Sequence, residues 1–288
     1  MAAGWTGVRD KRVVITGATG GIGLAAAEEL ARRGARLAIT ARSQGRAAEA
    51  VGRIRAAGGD GVEVDVLQAD LASLASVRAL AAELLQRYER IDVLVNNAGA
   101  MNASRQVTGE GLELTWAVNH LAPFLLTTLL LERLKASAPA RVVTTASDAH
   151  KGKLIPFDDL NAERGYAQRG FDRYGQTKLA NILFTLELAE RVRGSGVTAN
   201  CFHPGTVASG FNRNNGALMS AVMVVIRPFS RSTARGAETL VWLADAPEVS
   251  DQTGGYFVDR RRATPSRPAQ DAEAARRLWS VSEEQTRA

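Results

Sequence analysis

The sequence is short of cysteine, histidine and aromatic residues. One cysteine, Cys201, stands in 288 residues. That excludes an internal disulfide and fits a reducing compartment, where a lone thiol is commonly buried and inert. Three histidines beside one cysteine give no metal-ligand spacing, so a metal site is not expected. Aromatics make up 6% of the chain, and 36 basic residues are dispersed among 30 acids. The net charge of +6 therefore forms no basic stripe with interleaved aromatics, and a nucleic-acid partner is not expected. No uninterrupted apolar run reaches the roughly 18–20 residues of a membrane span. The nearest, "LAPFLLTTLLL" from Leu121 and "ALMSAVMVVI" from Ala217, fall short. The opening "MAAGWTGVRDKR" has no apolar core and does not read as a signal peptide. A soluble cytoplasmic protein is the expectation.

Apolar residues, at 45%, suffice for a sizeable core. Short aliphatic runs recur: "RVVIT" from Arg12, "RLAIT" from Arg36, "VEVDVLQ" from Val62 and "IDVLVNN" from Ile91. "RVVTTAS" from Arg141, "VTANCFHP" from Val197 and "GGYFV" from Gly254 follow. Between them lie helix-length segments with apolar residues three and four apart, such as Ile22 to Arg33, Leu74 to Tyr88 and Gln176 to Arg193. Gly34 is a fitting stop for the first of these. Alternation of this kind predicts an α/β fold, a single Rossmann-type doubly wound domain. Its parallel sheet of about seven strands has helices on both faces, because parallel neighbours need crossovers. The strands lack polar alternation, as expected where both faces are buried. Residues 11–260 form the domain, 1–10 an N-terminal extension and 261–288 a tail with a short helix. The dense basic stretch "DRRRAT" from Asp259 reads as a loop.

Ligands of such sheets bind outside the carboxyl ends of the strands. The first strand runs into "TGATGGIG", with Gly17, Gly21 and Gly23 ahead of a helix. Glycines allow a tight turn and close backbone approach, and the helix N-terminus offers free N–H groups to a pyrophosphate. The spacing is not G-x-G-x-x-G, and a glycine-rich turn can be only a turn; the strand–turn–helix setting favours the cradle. Gly17, Thr19, Gly20, Gly21, Ile22 and Gly23 are its expected contacts. After the second strand an acid commonly holds the ribose 2′-hydroxyl of NAD. Here "AITARSQGR" has none before Glu49; Arg42 and Ser43 stand there instead, with Arg46 close behind. A guanidinium would pair with a 2′-phosphate, which predicts NADP(H) over NAD(H). Alternatively, Arg42 is a solvated loop residue.

"TGATGGIG", "NNAG" from Asn96, Asn119, Ser147, "YGQTK" from Tyr174 and "HPG" from His203 occur in an order that resembles the short-chain dehydrogenase/reductase family. The wording "NHLAPFLLT", "SDAH", "YGQTKLANILFTLELA" and "EAARRLWSVSEE" is similar to its retinol dehydrogenase-like branch. The resemblance covers roughly Lys11 to Val258. It implies Tyr174, Lys178, Ser147 and Asn119 as the catalytic set, with Tyr174 and Lys178 also touching the cofactor. It implies Asp70 and Leu71 on the adenine side, and Asn96 to Gly99 at the turn after the fourth strand, with Asn97, Ala98 and Gly99 as contacts. Pro204, Gly205, Val207 and Ser209 are implied beside the nicotinamide; Ser209 replaces the usual threonine. The family further implies a substrate flap over 206–232, whose Phe211, Leu218, Met219, Val222, Met223 and Ile226 would line an apolar pocket. An amphipathic helix packed on the domain fits those residues nearly as well. The long segment between Ser147 and Tyr174 would form part of the substrate rim. Many relatives in the branch begin with a hydrophobic anchor that this sequence does not show. Self-association is common in the family, so Leu179, Leu183 and Leu186 to Leu188 serve either the core or a homodimer contact.

Carbonyl reduction needs a hydride on carbon and a proton on oxygen. A free phenol titrates near 10, and Lys178 lies one helical turn from Tyr174. An ammonium at about 4 Å in an effective dielectric near 20 favours the phenolate by roughly 4 kcal/mol, about 3 pKa units at most. A Tyr174 pKa well below 10 is therefore expected. Ser147 would donate to the substrate oxygen. The family assigns Asn119 a water that links Lys178 to solvent. Each residue taken singly has a plain reading: Ser147 ending a strand, Asn119 turning a helix before Pro123, Tyr174 and Lys178 a surface pair. His203 reads as a structural or cofactor-edge residue, and Ser147 with His150 lacks the G-x-S-x-G elbow of a hydrolase. The expected function is NADP(H)-dependent interconversion of an apolar carbonyl (retinoid-, steroid- or lipid-like) and its alcohol. The alternative is a silent cofactor-binding sensor of the same fold.

Overall fold

The computed structural model describes residues 4–59, 61–207 and 231–287. Among them eight strands form one sheet in the order β3-β2-β1-β4-β5-β6-β7-β8. β1 (Arg12–Ile15), β2 (Arg36–Ala41), β3 (Val64–Gln68), β4 (Val93–Asn96), β5 (Ala140–Thr145), β6 (Val197–His203) and β7 (Gly255–Val258) are parallel. Each begins within two residues of an aliphatic run in the sequence.

The eighth strand, β8 (Arg261–Ala263), replaces the loop expected there and is antiparallel to β7. Asp259 and Arg260 turn the chain with φ of 48° and 60°. Both are left-handed, as a two-residue hairpin demands, yet they lack the Asn-Gly or Asp-Gly signature that makes such turns visible in sequence.

Helices α1 (Gly21–Arg32), α2 (Gln44–Gly58) and α6 (Thr233–Asp245) cover one face of the sheet. The other face carries α3 (Leu74–Arg87), α4 (Leu114–Ala136), α5 (Phe171–Arg191) and α7 (Ala272–Arg287). β1 feeds both cores: Val13 and Ile15 point into the first, Val14 into the second. Gly34, at φ 82°, closes α1 with its N–H on the Ala31 carbonyl.

Two helices exceed what the sequence suggested. α4 runs 23 residues, long and apolar enough to cross a membrane, but most of its apolar stretch is buried inside the fold. α5 starts at Phe171, ahead of the expected Gln176, and so takes in Arg173, which forms a buried ion pair. Leu179, Leu183 and Leu188 lie within the core, beneath α7. Trp279 of α7 packs edge-on against Phe124 and stacks on Phe184. At the other end of the chain, the Trp5 indole donates to the Asp245 carbonyl at 2.8 Å, and Arg141 lies over its ring.

Candidate active site

The ends of β1 and β4 meet where the strand order reverses, the position at which doubly wound sheets bind ligands. Two side-chain clasps fix the turns there. Thr16 Oγ1 accepts from the N–H groups of Asn97 (3.0 Å) and Ala98 (3.1 Å). Asn97 Nδ2 returns to the carbonyls of Thr16 (3.1 Å) and Gly17 (3.2 Å). The two turns touch so closely that a Cβ on Gly17 would stand 2.8 Å from Ala98 Cα. On Gly23 it would stand 2.4 Å from both Asn97 Nδ2 and the Gly17 oxygen. Gly17 also has a left-handed φ of 70°. Asn96, by contrast, turns inward to Thr127 and away from the crevice.

The four expected catalytic residues converge on this crevice from three elements. Ser147 follows β5 and caps a short turn, its Oγ accepting from Ala149 N at 3.2 Å. Tyr174 lies on the first turn of α5, hydrogen-bonded to the Ser147 side chain. One turn later the buried Lys178 donates to the Thr145 carbonyl at 3.0 Å, which Asn181 also holds at 3.1 Å. Asn119 sits in a π-turn, Ala117–Leu121, inside α4, and such turns cluster at functional sites. Both of its amide N–H groups are used, on Ala100 O (2.8 Å) and Thr177 Oγ1 (3.0 Å), and Oδ1 accepts from Ala100 N at 2.7 Å. A Cβ on Gly99 would lie 3.5 Å from Asn119 Oδ1 and 3.6 Å from Lys178 Nζ, so the β4 turn closes on the pair.

The expected fall in the Tyr174 pKa does not occur. Burial pushes the phenol up to about 12, although its bond to Ser147 pulls the other way. Burial also drives Lys178 down to about 8. The ammonium is 5.5 Å from the phenol ring centroid and directs a hydrogen bond to Thr145; Lys178 is buried and Tyr174 half-buried. Desolvation outweighs the attraction expected of a half-solvated pair.

Nearby, His203 Nδ1 accepts from Asp148 N at 3.2 Å, and His150 Nε2 accepts from Ser266 N at 3.1 Å. The other His150 nitrogen, Nδ1, lies 2.6 Å from the Ser147 carbonyl, so both imidazoles are engaged with backbone groups around the strand ends. Cys201 is buried, and burial pushes its thiol up to about 12. Thr16, Thr145, Thr177 and Asn181 do not stand out in the sequence. Each acts through a backbone group or a neighbouring amide, which residue type alone does not announce.

The remaining cofactor candidates ring the crevice. Among the described residues, a Cβ on Gly20 would meet no atom within 4 Å and no side chain caps α1, so the helix N-terminus opens onto space that a phosphate could enter. Gly21 has a φ of 57°, and Thr19 and Ile22 flank it half-buried. Arg42 and Ser43 are exposed after β2, and Arg42 forms no ion pair among the described residues. Asp70 is exposed after β3, its Oδ1 accepting from Ala72 N at 3.0 Å, with Leu71 half-buried beside it. A Cβ on Gly236 would touch both Val207 (2.6 Å) and Ile22 (3.3 Å), which ties the Pro204–Gly205 turn to the start of α1. Gly205, at φ 81°, lies under Arg231. A nicotinamide dinucleotide fits these residues. Ser209 and the apolar flap positions from Phe211 to Ile226 lie outside the described residues.

A sheet of this order, a glycine turn at its switch point and a Ser-Tyr-Lys-Asn cluster beside that turn define a dinucleotide-binding oxidoreductase. The short chain dehydrogenase family model matches residues 11–218. The chain belongs to that family and is a short-chain dehydrogenase/reductase enzyme of the retinol dehydrogenase-like branch. It is 44% identical to retinol dehydrogenase 14 of Mus musculus, over 96% of this chain and 86% of that one. Retinol dehydrogenase 12 of Homo sapiens is also 44% identical, over 94% and 85%. A short chain dehydrogenase from Burkholderia cenocepacia, solved in complex with NADP, superposes with a TM-score of 0.69 at 27% identity, over 92% of this chain and 99% of that one.

Proposed function

We propose that the protein is an NADP(H)-dependent oxidoreductase that interconverts an apolar carbonyl, retinoid-, steroid- or lipid-like, and its alcohol, with Tyr174 as general acid and base. The observation that carries this reading is the Tyr174 phenol bonded to Ser147 with the buried Lys178 one turn away, where Lys178 stands against the β4 turn that packs on the glycine turn. When bound, the dinucleotide supplies or accepts the hydride. Ser147 donates to the substrate oxygen as negative charge grows there, and Tyr174 delivers the proton. A phenol raised to about 12 holds its proton until that charge appears, so Tyr174 is an acid poised for reduction. Lys178 offsets the phenolate left behind. The Asn119 side chain is committed to Ala100 and Thr177, and it stands with Lys178 against the β4 turn, where it would position the water that returns the proton.

NADP(H) preference is supported by the uncommitted Arg42, and by the Burkholderia cenocepacia relative, which was solved in complex with NADP. A retinoid-like substrate is supported by the names of the two dehydrogenases above. The rim adds to it. Leu154 is 69% and Phe171 46% exposed, and the Phe171 ring lies 6.5 Å from that of Tyr174. Leu154 follows Lys153, whose ammonium is 5.9 Å from the Phe171 ring. Replacing both by Ala is expected to raise KM for a long-chain ketone about tenfold, the worth of one covered apolar contact. A small aldehyde, assayed alongside, keeps its KM. A cytoplasmic location is part of the proposal, resting on a lone buried thiol suited to a reducing compartment.

The test is NADPH oxidation, followed at the nicotinamide absorbance band, with a panel of apolar aldehydes and ketones. Turnover of none of them, with NADPH still bound, would favour the silent sensor. The pH profile adds a second check. Lys178 must be charged to work, and its pKa near 8 sets where rising pH removes that charge. kcat/KM for reduction is expected to be level below about pH 7 and to fall about tenfold per unit above about 8. Lys178→Met lowers the profile throughout and erases the break; a break that persists would assign it to another group.

A further inference from the structure

The helix that carries Asn119 and the helix that carries Tyr174 are joined at their first turns by a buried ion pair. Arg173 Nε donates to Glu113 Oε2 at 2.8 Å, and the two side chains are 2% and 0% exposed. Glu113 is the N-cap of α4, its carboxylate accepting from Thr115 N (2.9 Å) and Trp116 N (2.8 Å), where a negative charge suits the helix end. The rest of the Arg173 fork is also engaged. Nη1 donates to Gln176 Oε1 at 3.2 Å, Nη2 to the Leu160 carbonyl, and the guanidinium lies 4.7 Å over the Trp116 ring. Tyr166 adds its hydroxyl to Glu113 Oε1 at 3.3 Å, so the chain leading into α5 is gathered onto the same carboxylate.

Burying such a pair gains little stability over apolar side chains of equal size, since both ions must be stripped of water. Its use is geometric. A planar fork held by three acceptors has one orientation, and Arg173 is the residue immediately before Tyr174. Six residues after Glu113, the same helix places Asn119, whose amide donates to Thr177 on α5. The two helices thus have two fastenings, one ionic at their starts and one amide–hydroxyl at the reacting level.

We propose that Arg173 and Glu113 are positioning residues, which fix the register of the first turn of α5 against the π-turn of α4 and so set the Tyr174 phenol relative to Asn119 and Lys178. The proposal rests on the catalytic reading above, and its test therefore includes one arm that needs no turnover. Arg173→Met is expected to lower kcat about 10- to 100-fold, the cost of a displacement of about 1 Å at the reacting atoms, and to leave KM for NADPH within about twofold. Because the pair acts as one unit, Glu113→Leu combined with Arg173→Met should be no slower than Arg173→Met alone. Arg173→Lys keeps the charge without the fork and should fall between wild type and Arg173→Met. Hydrogen exchange supplies the independent arm: in Arg173→Met, amides of residues 171–178 lose protection about tenfold or more, while those of the central strands keep theirs.

Wild-type kcat in a folded Arg173→Met protein would overturn the proposal, as would parallel loss of kcat and NADPH affinity. If Arg173→Met does not fold, the Lys variant is read by the same criteria. Should the wild-type protein reduce no carbonyl, exchange decides: unchanged protection at 171–178 rejects the register role. Lost protection there keeps it and assigns the silence to the catalytic reading instead.

Discussion

Tyr174→Phe should lower kcat by about 10³- to 10⁴-fold, at the upper end of what general acid–base catalysis contributes, with NADPH binding unchanged. The substitution removes one oxygen and little else. The ring keeps its place beside Phe171 and under the Lys178 ammonium. Ser147 keeps its backbone bond to Ala149 N, and Lys178 keeps Thr145. The lost hydroxyl bond is worth about 1 kcal/mol of stability, too little to unfold the chain. What disappears is the proton donor bonded to the residue that would meet the substrate oxygen. Single-turnover reduction, read against NADPH titration by fluorescence, separates this loss from a binding defect. A Phe variant with kcat within tenfold of wild type would mean that water or Ser147 carries the proton, and Tyr174 would lose its role.

The architecture was legible because it rests on side chains that advertise themselves. Aliphatic runs such as those of β1 and β5 can only be buried strands when both faces are covered, and the glycines after β1 serve close approach. The site was legible in residue type but not in charge state. Nothing in the spacing of Tyr174 and Lys178 reveals that Thr145 turns the ammonium aside, or that the fold buries Lys178 and half-buries Tyr174. Burial is a property of the whole fold, and it reversed the direction of the phenol's shift. The Glu113–Arg173 pair was hidden for a related reason. Sixty residues separate the partners, and each alone reads as a solvated charge on a helix end. β8 was hidden by local chemistry, since Asp259 and Arg260 adopt left-handed angles without glycine or asparagine to signal them.

Cofactor choice turns on a different physics, because Arg42 is exposed and screened where Tyr174 is not. Register pairs Ala41 with Gln68 at the end of β2 and β3, which brings Arg42 and Asp70 to adjacent strand ends. Yet Asp70 commits Oδ1 to Ala72 N, and Arg42 forms no ion pair among the described residues. Its guanidinium is therefore available for a 2′-phosphate, with Ser43 next to it and Arg46 exposed in the first turn of α2. Charge-assisted bonds of this type are worth about 1.5–3 kcal/mol, or about 10- to 150-fold in affinity. Arg42→Glu also adds repulsion, so NADPH should bind about 100-fold or more weakly, while NADH, with a ribose hydroxyl to meet the new carboxylate, binds as well or better. An exposed position outside any ion pair makes the change nearly neutral for stability, so a lost preference cannot be ascribed to unfolding. Raising ionic strength should narrow the wild-type preference and leave that of the variant almost flat, because only the former depends on an exposed ion pair. An Arg42→Glu protein that still holds NADPH within threefold of wild type would locate the 2′-phosphate away from the end of β2, and the NADP(H) preference would lose its physical basis.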